Sequence, residues 1–434
     1  MRSGLVSHRS TANESLTIAL VHTADSGGGA EASTICLQKS LRALGHQCNL
    51  YVGTKYGQAD DVFEIRRSRS IPGLLRLAHF CERRFGWQYL YHPWFRKLDR
   101  MFDRKIDVLH FHSLWSGNLG YADVGGLPRL TSRYPSVLTL RDLWMLTGHC
   151  AYPALGCERW RTGCGNCPDL GLAPAIPVDG TRFNWSRKRR MIQRSNLVVT
   201  AVSDWMARTA EECPIFKGKS VCTVHNGIDE EVFSVRSREA VRNELGLPQN
   251  EFIVMVAGQS IEGTVANGNG AAELAMGALH ASAVRPYICA VGHSSARFLA
   301  TWDGSGSAVP FIREPAELAK YYSAADVVLV ASLWETFGRI PAESQMCGTP
   351  VVGFATGGIP EIVIDKVTGV LVQTGDMQGL AASLAELAVH KGRRTEMGIA
   401  ARENAVRRFS NMAIARKYEA VYRSAIAARQ GGKH

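Results

Sequence analysis

A chain of 434 residues, 46% of them hydrophobic and 21% charged, is too long for one ordinary core and suits two α/β domains. That composition excludes wholesale disorder, and no apolar run reaches the ~18 residues that a membrane span needs. The formal charge of +11 calls for an anionic partner, whether nucleic acid, lipid headgroups or a pyrophosphate-bearing substrate.

Residues 1–14 carry charges and hydroxyls but no apolar h-region, so no secretory signal is expected and the chain is placed in the cytoplasm. Residues 16–22 read as a strand, Gly27, Gly28 and Gly29 as a turn, and residues 30–44 as a helix stopped by Gly45. Between Arg66 and Lys105, eleven Arg and Lys face only Glu82, Asp99 and Asp103. Phe80, Phe85, Trp87, Tyr89, Tyr91, Trp94 and Phe95 are interleaved with them. This pattern predicts a patch for an anionic membrane surface, with peripheral attachment at the inner membrane face. A solvated helical insertion whose rings fill local core is the alternative. Because the charge is grouped in this one insertion without a nucleic-acid module, nucleic acid is not the expected partner.

Short apolar runs at 107–112, 136–140, 197–202 and 220–224 follow, with Ser203 placed to cap a helix. A second series has strands at 252–257, 287–291, 327–331 and 351–354, and helical patterns at 239–245 and 317–325. Strands alternating with helices predict two doubly wound, Rossmann-like α/β domains facing a cleft. The expected boundaries are 15–232 and 233–411. Residues 412–434 form a last helix with Ile414, Tyr418, Val421, Tyr422 and Ala425 on one face, able to pack back across the junction.

In such sheets ligands bind beyond the carboxyl ends of strands, so the loop after 327–331 is informative. It reads Ser332-Leu333-Trp334-Glu335-Thr336-Phe337-Gly338-Arg339-Ile340-Pro341-Ala342-Glu343, with Pro341 suited to a first helical turn. Glu335 then lies in the loop and Glu343 at the helix start, one carboxylate for sugar hydroxyls and one for a ribose diol. Free amides at that helix start suit a diphosphate.

Cys150, Cys157, Cys164 and Cys167 follow Asp142-Leu143-Trp144 closely and have the ligand count of a structural zinc site. Four reduced buried thiols, or a redox pair at Cys164 and Cys167, are the alternatives.

The string E-T-F-G-R-I-P-A-E, followed by M-C-G-T-P-V-V and G-G-I-P-E-I-V, resembles the donor-site signature of family 4 retaining glycosyltransferases of the GT-B type. G-G-G-A-E near the start, D-V-L-H-F-H at 107–112 and H-N-G-I-D at 225–229 are similar to that family in the same order. The resemblance implies retaining, metal-independent transfer of a hexose from a nucleotide-sugar donor, with no catalytic metal. The first domain would serve the acceptor and the second the donor. Glu335 would hold the sugar and Glu343 the ribose. Gly28, Gly29, Phe337, Gly338, Gly357 and Gly358 would line the donor site, with Glu361 beside them. His112, Asp142 and Asn226 would face the acceptor. The layout W-x-T-G-C-x-x-C-P resembles a subgroup that builds bacterial exopolysaccharides of the colanic acid type, implying a lipid-linked or polysaccharide acceptor.

The chain departs from the pattern at three positions. Gln259 and the stretch Asn267-Gly268-Asn269 stand where the family usually has Arg and Lys, and Arg141 where it often has His. Arg339 and Arg141 are the cations placed to act on the departing diphosphate instead. A non-catalytic partner of an active transferase and a sugar-nucleotide epimerase are the alternative functions.

Overall fold

The computed structural model describes residues 14–65, 72–115, 121–260 and 271–431. Seven strands form the first sheet: β1 Thr17–Ala24, β2 Gln47–Thr54, β3 Val62–Glu64, β4 Val108–Phe111, β5 Ser136–Leu140, β6 Val198–Ala201 and β7 Val221–Thr223. Their order is β3-β2-β1-β4-β5-β6-β7, parallel throughout. The second sheet holds β8 Ile253–Ser260, β9 Tyr287–His293, β10 Gly306–Val309, β11 Val327–Val330, β12 Val351–Phe354 and β13 Gly369–Val372, in the order β10-β9-β8-β11-β12-β13. It too is parallel throughout.

Helices cover both faces of a parallel sheet, so its central strands read as continuous apolar runs. Val327–Val330 and Val351–Phe354 are buried along their whole length. β2, β3, β10 and β13 were not expected. β2 carries Gln47, Asn49 and Gly53, and β10 and β13 each begin with glycine, so none presents the uninterrupted run that marked the others.

The strand order reverses beside β1 and β4 in one sheet and beside β8 and β11 in the other. Loops leaving the carboxyl ends at these points open a crevice in each domain. Two chain crossings lie side by side at the junction, where Ile228 N donates to Phe409 O (2.8 Å) and Asn411 N to Ile228 O (3.1 Å). The last helix, Asn411–Gly431, then returns to the first domain. Ile414, Tyr418, Tyr422 and Ala425 join the core formed by Ile18, Leu20, Leu37 and Leu41, with Val421 partly buried against it. The Tyr422 hydroxyl meets His110 Nδ1 (2.8 Å) and the Tyr418 hydroxyl meets Thr139 Oγ1 (3.0 Å), satisfying polar groups that β4 and β5 bury.

The basic-aromatic insertion separates into two parts; Arg66, Arg67 and Arg69 lie outside the described residues. Tyr89 and Phe95 belong to the core. Arg96 Nε and Arg187 Nη2 each hold buried Asp123 at 2.5 Å, and Arg129 pairs with Asp99 at 2.9 Å. The helix Pro72–Phe85 differs, because it turns Leu74, Leu77, Phe80 and Phe85 outward at 49%, 57%, 59% and 41% exposure. Phe85, Trp87 and Phe183 continue this surface as a ring stack with centroids 4.8 and 4.3 Å apart. Among the described residues, no helix is long and apolar enough to cross a membrane.

Candidate active site

On the donor side the chain leaves β11 through residues 331–338 and enters the helix Arg339–Met346, whose N-cap Gly338 has φ +100°. Glu335 is held by its backbone. Gly358 N donates to Glu335 O (2.9 Å), and a Cβ on Gly357, which has φ +54°, would lie 1.7 Å from that same oxygen. Only glycine fits there, so Gly357 and Gly358 position the Glu335 loop. Burial pushes the Glu335 carboxyl up to about 7, opposed by its one hydrogen bond from Ser332. Phe337, expected in the donor site, is instead core, packed on His225 and Phe409 at centroid distances of 6.1 and 5.8 Å. Its large apolar ring anchors the loop from below.

Glu343 lies one turn inside the helix rather than at its start, because the helix already begins at Arg339. Its carboxylate is taken. Arg339 Nε approaches Oε1 at 2.6 Å, and the Tyr322 hydroxyl donates to Oε2 at 3.0 Å. Burial raises its pKa, while the Arg339 charge and the Tyr322 hydrogen bond oppose that rise.

Arg339 also spans the cleft. Its Nη1 donates to Ser33 Oγ (3.0 Å) on the helix Gly29–Ala43, and a Cβ on Gly29 would come 3.0 Å from Arg339 Cδ. That helix opens with Gly28 as N-cap, whose amide donates to Glu31 Oε2 (2.9 Å). Gly27 precedes it at φ +142°.

At the end of β5, Arg141 is buried between the domains. Its Nε donates to His112 Nδ1 (3.2 Å), its Nη1 to Asn226 Oδ1, and its carbonyl accepts from Thr336 Oγ1 (2.8 Å) of the second domain. Burial lowers its pKa first, and Glu31 and Arg339 are both within electrostatic reach. His112 accepts at Nδ1 and therefore carries its hydrogen on Nε2, a buried group without a partner among the described residues. Burial, then the neighbouring His110 and Arg141, hold His112 well below its ordinary pKa, so the ring is neutral. His22 is lowered to about 3 by burial and then by Arg141. Asp142 accepts from Trp115 Nε1 (2.8 Å) and Trp144 N (2.9 Å), and burial raises its pKa.

The expected residues thus fall into adjoining groups at the facing strand ends: Glu335 with Gly357 and Gly358; Glu343 with Arg339 and Gly29; Arg141 with His112 and Asn226. Glu361 stands elsewhere. It accepts from Asp204 N and Trp205 N (both 2.8 Å) and pairs with His225 Nε2 (3.0 Å), which makes it a strut between domains. Asn267, Gly268 and Asn269 lie outside the described residues, as does the side chain of Gln259. Sequence reasoning missed Ser33, Tyr322 and Tyr152. The Tyr152 hydroxyl lies near the Thr336 side chain and Glu335, although the residue as a whole is 41% exposed. No local spacing marks these three, because each becomes relevant only through a contact far away in the chain.

The four cysteines line one cavity together with His149, and all are free thiols. Burial pushes Cys150 up to about 11 and Cys164 up to about 12, so neither offers a thiolate nucleophile. Lys188, buried beside them, is lowered to about 7 by desolvation. Among the described residues no three His, Cys, Asp or Glu side chains form a preassembled metal-holding group. The expected zinc set is therefore a thiol-lined cavity rather than closed coordination.

Two family models match the chain, "Glycosyltransferase Family 4" over residues 27–232 and "Glycosyl transferases group 1" over residues 307–404. D-inositol 3-phosphate glycosyltransferase 1 of Catenulispora acidiphila is 35% identical over 287 residues, 61% of this chain and 66% of that protein. N-acetyl-alpha-D-glucosaminyl L-malate synthase of Bacillus anthracis is 26% identical over 250 residues, 54% of this chain and 62% of that protein. The chain thus spans about two thirds of the length of these curated relatives, and neither is named for colanic acid. Among solved structures, sucrose-phosphate synthase from Thermosynechococcus elongatus superposes with a TM-score of 0.68 at 18% identity, covering 95% of this chain and 100% of that one. Anabaena HepE in complex with UDP-glucose gives 0.63 at 17% identity, over 94% and 100%. These likenesses establish the shared GT-B fold. Enzymes of these families typically need no catalytic metal.

Proposed function

We propose that the chain is a GT-B glycosyltransferase of the kind that these two models describe, and that it transfers a hexose from a nucleoside-diphosphate sugar to an acceptor, with retention of configuration. One observation carries this reading. Arg339 reaches from the donor-side helix to Ser33 beside the glycine turn while paired with Glu343, so a cation, a carboxylate and a glycine-opened helix start, whose Gly28 amide is held by Glu31, meet in one cleft.

Each group has a distinct task. The Glu335 carboxylate accepts hydrogen bonds from the hexose hydroxyls, and Glu343 from the ribose diol. As the bond between the anomeric carbon and the phosphate oxygen breaks, charge grows on the departing diphosphate. Arg339 and Arg141 stabilise it, at positions where donors aimed at developing charge are most effective. His112 offers its unpartnered Nε2–H to the transferring sugar or the incoming hydroxyl. Asp142 and Asn226 orient this acceptor wall, and HepE bound to UDP-glucose is consistent with a uridine nucleotide as donor.

The acceptor is a lipid-linked glycan of the exopolysaccharide type, presented at an anionic membrane surface. The outward face of Leu74, Leu77, Phe80 and Phe85, flanked by exposed Arg76, Arg83 and Arg84, supports that part of the reading. A phosphorylated small acceptor is the second reading. It is favoured by buried Arg141 beside His112 and by the relative named for D-inositol 3-phosphate.

The test is a panel of nucleotide sugars against a lipid-linked acceptor extract and against inositol phosphates, with the product anomer read by NMR. The proposal expects an unchanged anomeric configuration and near loss of turnover in Glu335→Gln. An inverted product overturns the mechanism. Donor binding without transfer to any acceptor favours a non-catalytic partner, and donor conversion without acceptor favours an epimerase.

A further inference from the structure

The segment between Asp142 and Gly180 contains, as regular structure, only the short turn Arg159–Arg161, yet it delivers Tyr152 to the cleft beside Glu335 and Thr336. Local hydrogen bonds such as Leu143 N to Ala151 O (2.9 Å) and Ala151 N to Ala173 O (2.7 Å) tether only part of it. Leu143, Trp144, Met145, Leu146, Ala151 and Trp160 bury into the core, whereas Cys157, Cys164 and Cys167 are only partly buried, so a cross-link would act on the stretch that carries them. All four of its cysteines converge on a single cavity of about 20 Å³, and none forms a disulfide.

The wall of that cavity has the features of a thiolate-metal site. Gly148 N donates to Cys164 Sγ (3.2 Å), and His149 Nε2 contacts Cys167 Sγ (3.3 Å). The turn between Cys164 and Cys167 runs through left-handed backbone at Cys164, Gly165 and Asn166, with φ of 54°, 97° and 49°, folding the C-x-x-C pair back on itself. Lys188 donates to Trp144 O (2.5 Å) and Thr147 O (3.1 Å), with its charge near Cys164 and Cys150.

We propose that Cys150, Cys157, Cys164 and Cys167 bind one zinc ion, which fixes this segment and with it Tyr152 at the acceptor wall. Among the described residues the thiols are not already grouped to hold an ion, so binding requires their side chains to change torsion about the shared cavity. Four sulfur ligands leave no open coordination position, so the ion is structural. Its occupancy does not depend on the transfer reaction, although its consequence for the acceptor rests on the function proposed above.

The experiment is metal analysis of the full chain purified without chelator, with cobalt exchange as a second readout. One zinc per chain is expected, together with intense thiolate-to-cobalt absorption after exchange. Cys157→Ser and Cys164→Ser should each lose at least tenfold in zinc affinity, while Cys289→Ser, in the second sheet, stays loaded. Less than 0.2 equivalents of zinc in the wild-type chain, an iron–sulfur spectrum, or disulfides among the four by mass spectrometry overturns the proposal, even if the variants fail to fold. Cys157→Ser should keep nucleotide binding within about twofold but raise the acceptor KM. A loaded protein with an unchanged acceptor KM in that variant removes the Tyr152 consequence and leaves the metal site standing.

Discussion

Replacing Arg339 with alanine separates a charge that acts on the reaction from a strut that only holds the cleft together. In the protein as it stands the guanidinium pairs with Glu343 at 2.6 Å, the two side chains being 20% and 6% exposed, and reaches Ser33 across the cleft at 3.0 Å. Removing one partner of a fully buried pair costs about 3–5 kcal/mol, because the other charge is left uncompensated. Arg339 is partly open to solvent, so about 2–3 kcal/mol is expected, a fall of roughly 5–10 °C in Tm for a domain of this size. The double change Arg339→Ala with Glu343→Gln should recover about 1 kcal/mol of that loss by removing the orphaned carboxylate. Turnover responds separately. If the guanidinium stabilises the departing diphosphate, kcat at saturating donor falls about a hundred- to a thousandfold, or roughly 3–4 kcal/mol. Donor Kd should change far less, since the contact strengthens in the transition state and, before that, breaking the Glu343 pair frees the ribose carboxylate. The assay pairs steady-state kinetics with donor titration and thermal melts. A kcat within about threefold of wild type, alongside the predicted drop in Tm, refutes the catalytic role and leaves Arg339 as a strut.

Glu335 is protonated below about 7 and ionised above it, so turnover should rise as pH increases through 7. The raised carboxyl means that the folded state holds an extra proton, so apo stability falls as pH rises from about 4.5 to 7. Glu335→Gln should therefore melt no lower than wild type at pH 8 while losing nearly all turnover, and a variant that melts clearly lower there contradicts the burial argument. Gly357→Ala places a Cβ against Glu335 O and forces φ +54° on a residue with a side chain, so kcat should fall at least tenfold with both sheets still folded by circular dichroism. Normal kinetics would show that the loop tolerates displacement of Glu335. Leu77→Ser with Phe80→Ser should abolish flotation with anionic vesicles without shifting Tm, because both side chains are exposed. Equal flotation of wild type with neutral and anionic vesicles would remove the membrane reading.

The alternation of apolar runs with helical patterns was enough to specify two parallel sheets, because strands covered on both faces must be apolar along their length. The loop from Ser332 to Glu343 was legible for a related reason: a strand end, a glycine and a proline in that order fix a turn into a helix whose first amides are free. Membership of Phe337 in the core was not legible, since an aromatic residue in a loop has no period to show which way it points. Glu361 was misplaced because a glutamate near a glycine turn looks the same whether it meets a ligand or caps a helix of the other domain, as it does at Asp204 and Trp205. The partners of Arg339 and Arg141 belong wholly to the tertiary structure. Glu343 is four residues from Arg339 and helical spacing alone allows that pair, but Ser33 lies 306 residues away and Thr336 lies 195 from Arg141. The sequence determined which charges are available. Folding decided where they point, because only the closure of one sheet's loops against the other brings these side chains within hydrogen-bonding distance.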